Sequence, residues 1–282
     1  MTKEIIRSRT APFFIDKTRT KYFGEEARKR LSSCNDMEYF NLKDGVISID
    51  KKRWREAQEY ERKIWMEDFK SVNDDNNKKN RDGFNNFSAL KGKKFDEVIE
   101  LGCGPFTNLR YILPHIECRE IDLLDPLIET YLTKKNCAYR DGLVSGDNIW
   151  WNRTFGKKKQ VGMHACTIED FITDRKYDLV IMINVLEHCE NFEKIKEKIL
   201  SISKKGSYFV CSDKIFSIEE IKQDLENTYD AGHPLRINKK HLIKFLKDNF
   251  QKVYWKTKMI PNYRKDRDLS HTYFYYVGVK KA

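Results

Sequence analysis

A short strand, a glycine-rich turn and the start of a helix constrain the fold of this chain more than any other stretch. Residues 95–101 form an apolar run of the length of a buried strand, and Gly-Cys-Gly-Pro at 102–105 ends it. Glycines permit a tight turn along which a ligand can lie against the backbone. Residues 107–113 can begin a helix whose N–H groups point at that ligand. The stretch therefore predicts a nucleotide cradle after a first strand.

Apolar runs alternate with helical patterns along the rest of the chain. Six further strands are predicted, at 116–124, 161–166, 177–183, 207–211, 251–256 and 272–279. Helices are predicted at 128–132, 191–203 and 238–249, and a capping box, Ser217 to Glu220, opens another. This alternation predicts an α/β fold: a seven-stranded, mostly parallel, Rossmann-like sheet with helices on both faces and an N-terminal helical extension.

The N-terminal part follows a different pattern, which divides the chain into an extension, 1–88, and a main domain, 89–282. Apolar side chains recur every three or four residues, which predicts an amphipathic helix over 51–70. Such a helix either packs on the core or covers a ligand, and the spacing does not separate the two. Residues 71–88 are rich in Asn, Asp and Lys, which indicates a linker or exposed loop. A helix at 24–31 and a hairpin at 39–49 are weaker predictions.

Composition limits the classes of function. With 282 residues, 40% of them hydrophobic, the chain can bury a large core. Its seven cysteines form no CxxC pair and no zinc-finger spacing, so we predict no metal site and a reduced, cytoplasmic location. No apolar run reaches the length of a membrane span, and no signal-peptide pattern is present. The net charge of +11 makes a nucleic-acid partner possible, but the lysines fall in short, separate clusters, so a small-molecule partner is favoured.

Acidic residues flank the glycine turn at useful intervals. Glu100 lies two residues before the first glycine, and Asp125 ends the second strand, where a carboxylate usually holds ribose hydroxyls. Asp122 is the alternative. A dinucleotide site needs a third glycine for a pyrophosphate, and Thr107 occupies that position. An adenosine ligand with an amino-acid tail therefore fits better than a nicotinamide dinucleotide.

Four motifs, in order and spacing, resemble the class I S-adenosylmethionine-dependent methyltransferases. Glu-Leu-Gly-Cys-Gly-Pro resembles their motif I, and Ile-Asp-Leu-Leu-Asp-Pro-Leu resembles their second-strand acidic motif. Tyr-Asp-Leu-Val-Ile-Met-Ile-Asn-Val-Leu-Glu-His is similar to the fourth-strand segment of members that act on small molecules. Lys-Lys-Gly-Ser-Tyr-Phe-Val is like the fifth-strand entry, where Gly-Gly is more usual. The resemblance covers roughly residues 90–280.

The resemblance implies S-adenosylmethionine as cofactor and a role for each matching residue. The backbone at the two glycines would lie along the methionine portion, with the small cysteine between them letting the loop close. The first acidic residue would support the loop or the cofactor's amino group, and the second would hold the ribose. The strand-three residues would face adenine, and the strand-four residues would line the floor near the sulfonium. These cofactor-binding residues are Glu100, Gly102, Cys103, Gly104, Asp125, Ile168, Glu169, Asn184 and Leu186.

One departure concerns adenine recognition. Thr167 stands where many relatives carry Asp. Glu169 could face the adenine amino group, but capping of a helix N-terminus explains a glutamate there equally well.

Two histidines are candidate catalytic residues. His188 follows the fourth strand, at the edge of the sheet where ligands bind, and His233 lies in a turn, Asp-Ala-Gly-His-Pro. Methyl transfer mainly requires alignment of nucleophile, methyl carbon and sulfur, and a hydroxyl nucleophile also benefits from a base. Each histidine could be that base, a hydrogen-bond donor to substrate, or a packed side chain.

Absent motifs narrow the acceptor. The chain has no Asn/Asp-Pro-Pro-Tyr segment after the fourth strand and no Pro-Cys dipeptide, features of enzymes that methylate nucleobases. We therefore expect a small molecule, methylated at a hydroxyl of a sugar or other metabolite. The alternatives are an RNA or protein methyltransferase, a catalytically silent cofactor-binding protein, and a nicotinamide oxidoreductase.

Overall fold

The computed structural model describes residues 48–67, 85–135, 137–140, 161–227, 231–260 and 271–282. Within these residues seven strands form one sheet in the order β3-β2-β1-β4-β5-β7-β6. The strands are β1 (Lys94–Leu101), β2 (Glu117–Leu124), β3 (Val161–His164), β4 (Tyr177–Ile183), β5 (Ser203–Ile215), β6 (Phe250–Ile260) and β7 (His271–Lys280). Strands β1 to β5 pair in parallel, and β7 runs antiparallel to both β5 and β6. The predicted seven-stranded, mostly parallel sheet is confirmed.

Helices precede or follow most of the strands. The α-helices of the described residues are α1 (Lys51–Glu67), α2 (Leu109–Ile112), α3 (Ile128–Leu132), α4 (Phe192–Ile202), α5 (Ile218–Asn227) and α6 (Lys239–Asn249). The predicted capping box at α5 is present: Glu220 N donates to Ser217 Oγ at 3.1 Å, and Ser217 N donates to Glu220 Oε2 at 2.6 Å. These two bonds satisfy N–H groups that the helix itself leaves without acceptors.

The sheet separates two hydrophobic cores because successive strand residues point to opposite faces. On β1, Val98 belongs to one core, while Ile99 and Leu101 belong to the other. Apolar side chains of α2 and α3 pack in the first core, and those of α4 and α6 pack in the second. Each fully buried Val, Leu or Ile contributes about 1.5–3 kcal/mol, so both faces stabilise the sheet.

Several element bounds differ from the sequence predictions. Strand β5 starts at Ser203, four residues before the predicted 207, because α4 ends at Ile202. Gly206, at φ +76°, lies where the register between β4 and β5 shifts, and glycine tolerates that conformation. Strand β6 continues to Ile260, beyond the predicted 256, because it pairs with β7 along its whole length.

The extension contacts the main domain at the start of α1. Ser48 forms an isolated bridge with Asn191, and Ile49 N donates to the carbonyl of Glu190 at 3.0 Å. The predicted helix at 24–31 lies outside the described residues, as do most of the hairpin predicted at 39–49, most of the linker predicted at 71–88 and the end of the helix at 68–70. The last four residues of the predicted linker belong to a 3-10 helix, Asn85–Leu90, and Phe87 within it is buried, so this part is not an exposed loop.

None of the helices in the described ranges is long and apolar enough to cross a membrane.

Candidate active site

The glycine turn lies at the carboxyl end of β1. Gly102 has φ +70° and Gly104 has φ +55°, a region that side chains with a β-carbon rarely adopt. Gly102 N donates to the carbonyl of Leu124 at 2.7 Å, which ties the turn to the end of β2. A β-carbon on Gly102 would lie 2.5 Å from the γ-carbons of Val185, whereas the space beside Gly104 is open. The first glycine permits close packing, and the second leaves room for a ligand.

Glu100 supports this turn from below. Its side chain is fully buried, and its carboxylate accepts hydrogen bonds from the Thr107 hydroxyl and, at 2.8 Å, from Asn108 N. Burial raises the pKa of Glu100 to about 7, although these hydrogen bonds act in the opposite direction. Thr107 is held at φ +33° by the same contacts. Of the two roles predicted for Glu100, the contacts favour support of the loop.

Asp125 closes the turn from the β2 side. Its Oδ2 accepts from Gly104 N at 3.0 Å and its Oδ1 accepts from Leu127 N at 2.9 Å. Burial raises the pKa of Asp125 to about 6, against the effect of both amides. Asp122, the alternative, instead accepts from the Tyr177 hydroxyl at 2.6 Å and lies 3.0 Å from Arg175 Nη1. Asp125, and not Asp122, lines the cleft described below.

Cys103, between the two glycines, is a packed residue. Its Sγ lies 3.6 Å from the Tyr139 hydroxyl oxygen, and burial raises the pKa of the thiol well above its usual value. A thiol held protonated in this way is a poor nucleophile, so its small size is what the turn uses.

The residues after β3 approach the site from the side. Ile168 is buried and lines the cleft beside Thr167. Glu169 also borders the cleft, but its Oε1 accepts from Glu190 N at 2.9 Å and from Asn191 N at 3.0 Å. This carboxylate therefore orders the loop before α4, the structural role that the sequence left open beside adenine recognition.

The residues after β4 form the floor. Asn184 has φ +59°, lines the cleft, and accepts at Oδ1 from the Tyr273 hydroxyl at 3.1 Å. The prediction that Leu186 lines the floor is corrected, because its side chain is fully buried in the core. Its backbone N–H donates to Asp213 Oδ2 at 2.7 Å, which turns the chain inward. Val185 takes the predicted place beside the cleft.

These elements border one cleft at the carboxyl edge of the sheet. Its empty volume is about 860 Å³ when the space at its open mouth is included. One stripe of α1 forms the opposite wall: Trp54, Gln58, Glu61 and Trp65. The helix therefore lines the cleft, and its buried Ala57 and Tyr60 show that it also packs on the rest of the protein. The polar Gln58 and Glu61 within an otherwise apolar stripe are the sequence signal that could have indicated this.

The two candidate histidines come together at one end of the cleft. The ring centroids of His188 and His233 lie 4.7 Å apart. His188 Nδ1 lies 3.0 Å from the carbonyl oxygen of Gly232 and 3.8 Å from Glu61 Oε1. Burial and the neighbouring His233 lower the pKa of His188 to about 4, so its ring is neutral at physiological pH. A carbonyl only accepts, so in this neutral ring Nδ1 carries the hydrogen and Nε2 carries the lone pair.

A buried charge pair lies behind the histidines and was not predicted. His233 Nε2 is 3.4 Å from Glu187 Oε1, and both Glu187 oxygens accept from Lys214 Nζ, at 3.0 and 2.8 Å. Burial alone would raise the pKa of Glu187, but His233 and Lys214 outweigh it and lower the pKa to about 2. The pKa of the neighbouring Asp213 shifts in the opposite direction, because burial and the charge of Glu187 raise it to about 7. Glu187 therefore stays ionised and orients His233.

Comparison with known proteins assigns the family. The chain matches the methyltransferase-domain family over residues 72–251. The solved N-methyltransferase NodS from Bradyrhizobium japonicum, in complex with S-adenosylhomocysteine, has a TM-score of 0.50 and 10% identity, over 82% of this chain and 98% of NodS. The 1,6-didemethyltoxoflavin-N1-methyltransferase from Burkholderia thailandensis has a TM-score of 0.48 and 12% identity, over 86% of this chain and 98% of that one. No curated protein sequence matches. The family match and the strand order together show that the chain belongs to the class I methyltransferase-domain family.

Proposed function

We propose that this protein transfers the methyl group of S-adenosylmethionine to a hydroxyl oxygen of a small molecule, such as a sugar or another metabolite. One observation carries the proposal: a single cleft joins the glycine turn and Asp125 to His188, whose ring packs against that of His233. A cofactor half and an acceptor half therefore lie in one space, as direct transfer between two bound molecules requires.

The residues of the cofactor half fit S-adenosylmethionine. The open space beside Gly104 admits a ligand chain close to the backbone. Asp125, only 8% exposed, offers a carboxylate at the ribose position, and Ile168 offers an apolar surface for adenine. When bound, the cofactor supplies an activated methyl group on a sulfonium. In this arrangement Asn184 and Val185 form the floor beneath the reacting centre.

The acceptor half lies between α1 and the histidines. Trp54 and Trp65 provide apolar walls that exclude water, which favours transfer to the acceptor over hydrolysis. Glu61 and His188 provide polar groups at the same wall, and these orient a hydroxyl toward the cofactor half. The absence of the nucleobase-enzyme motifs supports a small acceptor over RNA.

Titration calorimetry with S-adenosylhomocysteine tests the cofactor half. We expect binding by the wild type and a loss of about 1–3 kcal/mol for Asp125→Ala, because the ribose hydroxyls lose their acceptor. The matched control is Asp96→Asn, an exposed aspartate near the opposite end of β1. If Asp125→Ala and Asp96→Asn bind S-adenosylhomocysteine with equal affinity, Asp125 does not hold the ribose.

A methyl-transfer screen tests the acceptor. Labelled S-adenosylmethionine and a fractionated metabolite extract are incubated with the protein, and labelled products are identified. A labelled methyl ether of a small molecule supports the proposal. Label found only in RNA or protein, or binding of S-adenosylhomocysteine without any turnover, would contradict it in favour of the two corresponding alternatives.

A further inference from the structure

Three potential metal ligands meet at the acceptor end of the cleft. One ligand atom from each of Glu61, His188 and His233 lies within 4.8 Å of the other two. They come from three separate segments: α1, the turn after β4, and the loop before α6. Bonds of about 2.0–2.1 Å in a tetrahedral site place ligand atoms about 3.3 Å apart, so a metal requires only small side-chain movements.

We propose that Glu61, His188 and His233 bind a divalent transition-metal ion, which holds the hydroxyl group of the methyl acceptor. This inference rests on the proposed function and specifies how its acceptor half works. It departs from the sequence prediction of no metal site, which considered only cysteine and histidine spacing along the chain.

Each of the three side chains makes a further polar contact, as metal ligands usually do. His188 Nδ1 contacts the Gly232 carbonyl at 3.0 Å, which directs the opposite nitrogen away from that carbonyl. His233 Nε2 contacts Glu187 at 3.4 Å, and Glu61 Oε2 accepts from Trp65 Nε1 at 3.0 Å. A carbonyl, a carboxylate and an indole thus fix the orientation of the two rings and the carboxylate.

The donor set selects the class of metal. Two imidazoles and one carboxylate suit Zn²⁺, Mn²⁺, Fe²⁺ or Co²⁺, whereas Mg²⁺ and Ca²⁺ prefer oxygen ligands alone. Three protein ligands also leave a coordination position for a further molecule. Glu61 and His188 line the cleft, so that position faces the space where the acceptor would lie.

The chemistry follows from the Lewis acidity of the ion. A hydroxyl bound to a divalent metal would lose its proton more readily, and that proton would leave to bulk solvent through the open mouth of the cleft. The oxygen then forms a bond to the methyl carbon as the carbon–sulfur bond breaks. The products are a methyl ether, the thioether S-adenosylhomocysteine and the released proton. This role does not require either histidine to accept a proton.

Direct metal binding tests the proposal on the full-length protein. After treatment with a chelator and dialysis, Zn²⁺ and Mn²⁺ are titrated in competition with a chromophoric chelator, with Mg²⁺ as comparison. We expect one saturable equivalent of Zn²⁺ in the wild type and at least tenfold weaker binding in His188→Ala, His233→Ala and Glu61→Gln. The control is His115→Ala, an exposed histidine before β2. No saturable equivalent in the wild type, or unchanged affinity in all three variants, would overturn the site.

Two further measurements on the same samples distinguish a failure of the metal site from a failure of the proposed function. A melting temperature that rises with Zn²⁺ in the wild type but not in Glu61→Gln supports the site, even if a histidine variant folds poorly. Binding of S-adenosylhomocysteine without binding of metal would refute the metal site and leave the proposed function standing. Binding of metal without S-adenosylhomocysteine would refute the proposed function instead.

Discussion

The indole Nε1 of Trp54 donates a hydrogen bond to the backbone carbonyl of His188, with 3.1 Å between nitrogen and oxygen. Gln58 Nε2, one helical turn further along α1, approaches the same carbonyl at 3.3 Å. The helix of the extension is thereby joined to the turn that carries a candidate catalytic residue. The position of the His188 turn at this end of the cleft thus depends on how α1 packs against it.

Replacing this indole tests that dependence. We expect Trp54→Phe to lower the free energy of unfolding by about 0.5–1.5 kcal/mol, because the ring remains but the hydrogen bond is lost. Chemical denaturation measures the change. The matched control is Trp255→Phe, since that indole stacks on Phe274 with centroids 5.3 Å apart. If both variants lose the same stability, the bond to His188 contributes nothing specific.

The buried Glu100 predicts a pH dependence of stability. Its pKa is raised to about 7 in the folded protein from 4.5, so the folded state holds a proton that the unfolded state has released. The resulting stabilisation is complete below pH 4.5 and is lost as the pH rises through 7. Between those values the free energy of unfolding falls by up to about 1.4 kcal/mol per pH unit from this group.

Denaturation of wild type and Glu100→Gln at several pH values checks this sign. The amide cannot ionise, so we expect the free energy of unfolding of the variant to fall less steeply between pH 5 and pH 7. The two slopes should differ by up to about 1.4 kcal/mol per pH unit, the effect of one proton. The pKa values of Asp125 and Asp213 are also raised, so these two groups make stability fall with rising pH in both proteins. Only the difference between the two slopes therefore reports on Glu100. Parallel curves for the two proteins would show that Glu100 is ionised throughout.

Replacing each of the two glycines of the turn by alanine should lower the stability of the protein by different amounts. At Gly102 the new β-carbon meets Val185 at 2.5 Å, so Gly102→Ala must displace the floor of the cleft as well as strain the backbone. At Gly104 only the strain of φ +55° applies, which costs about 1–2 kcal/mol. Thermal unfolding is expected to show the larger loss for Gly102→Ala. A larger loss for Gly104→Ala would contradict the packing described.

Asn184, at the floor of the cleft, offers a test of whether its left-handed backbone conformation costs stability. Glycine and alanine both remove the acceptor of the Tyr273 hydroxyl, but only alanine keeps a β-carbon at φ +59°. We therefore expect Asn184→Gly to be more stable than Asn184→Ala by about 1 kcal/mol, measured by denaturation. The opposite order would mean that the backbone relaxes at this position.

The features predicted from sequence are those that depend on local spacing. The capping box from Ser217 to Glu220 and the strand Tyr177–Ile183 were confirmed with the predicted bounds, because their patterns are complete within a few residues. The class I family assignment was also confirmed, since each of its four motifs is a short contiguous segment at a strand of the sheet.

The parts that sequence did not predict depend on distant contacts. Lys214 reaches Glu187 only because β5 lies beside β4, and Tyr273 reaches Asn184 from the far end of the chain. Leu186 was misplaced because the chain turns inward to Asp213, a carboxylate 27 residues away. No local pattern encodes these pairings, which arise from the packing of the sheet.

The covering helix has a consequence for how such a protein can acquire new substrates. Residues 51–67 form one wall of the cleft, yet the family match begins only at residue 72. The glycine turn and this wall of the cleft thus lie on opposite sides of the start of the family match. Chimaeras joined within 71–84 would therefore exchange this wall while the glycine turn keeps its sequence, which offers a route to altering by design what the cleft admits.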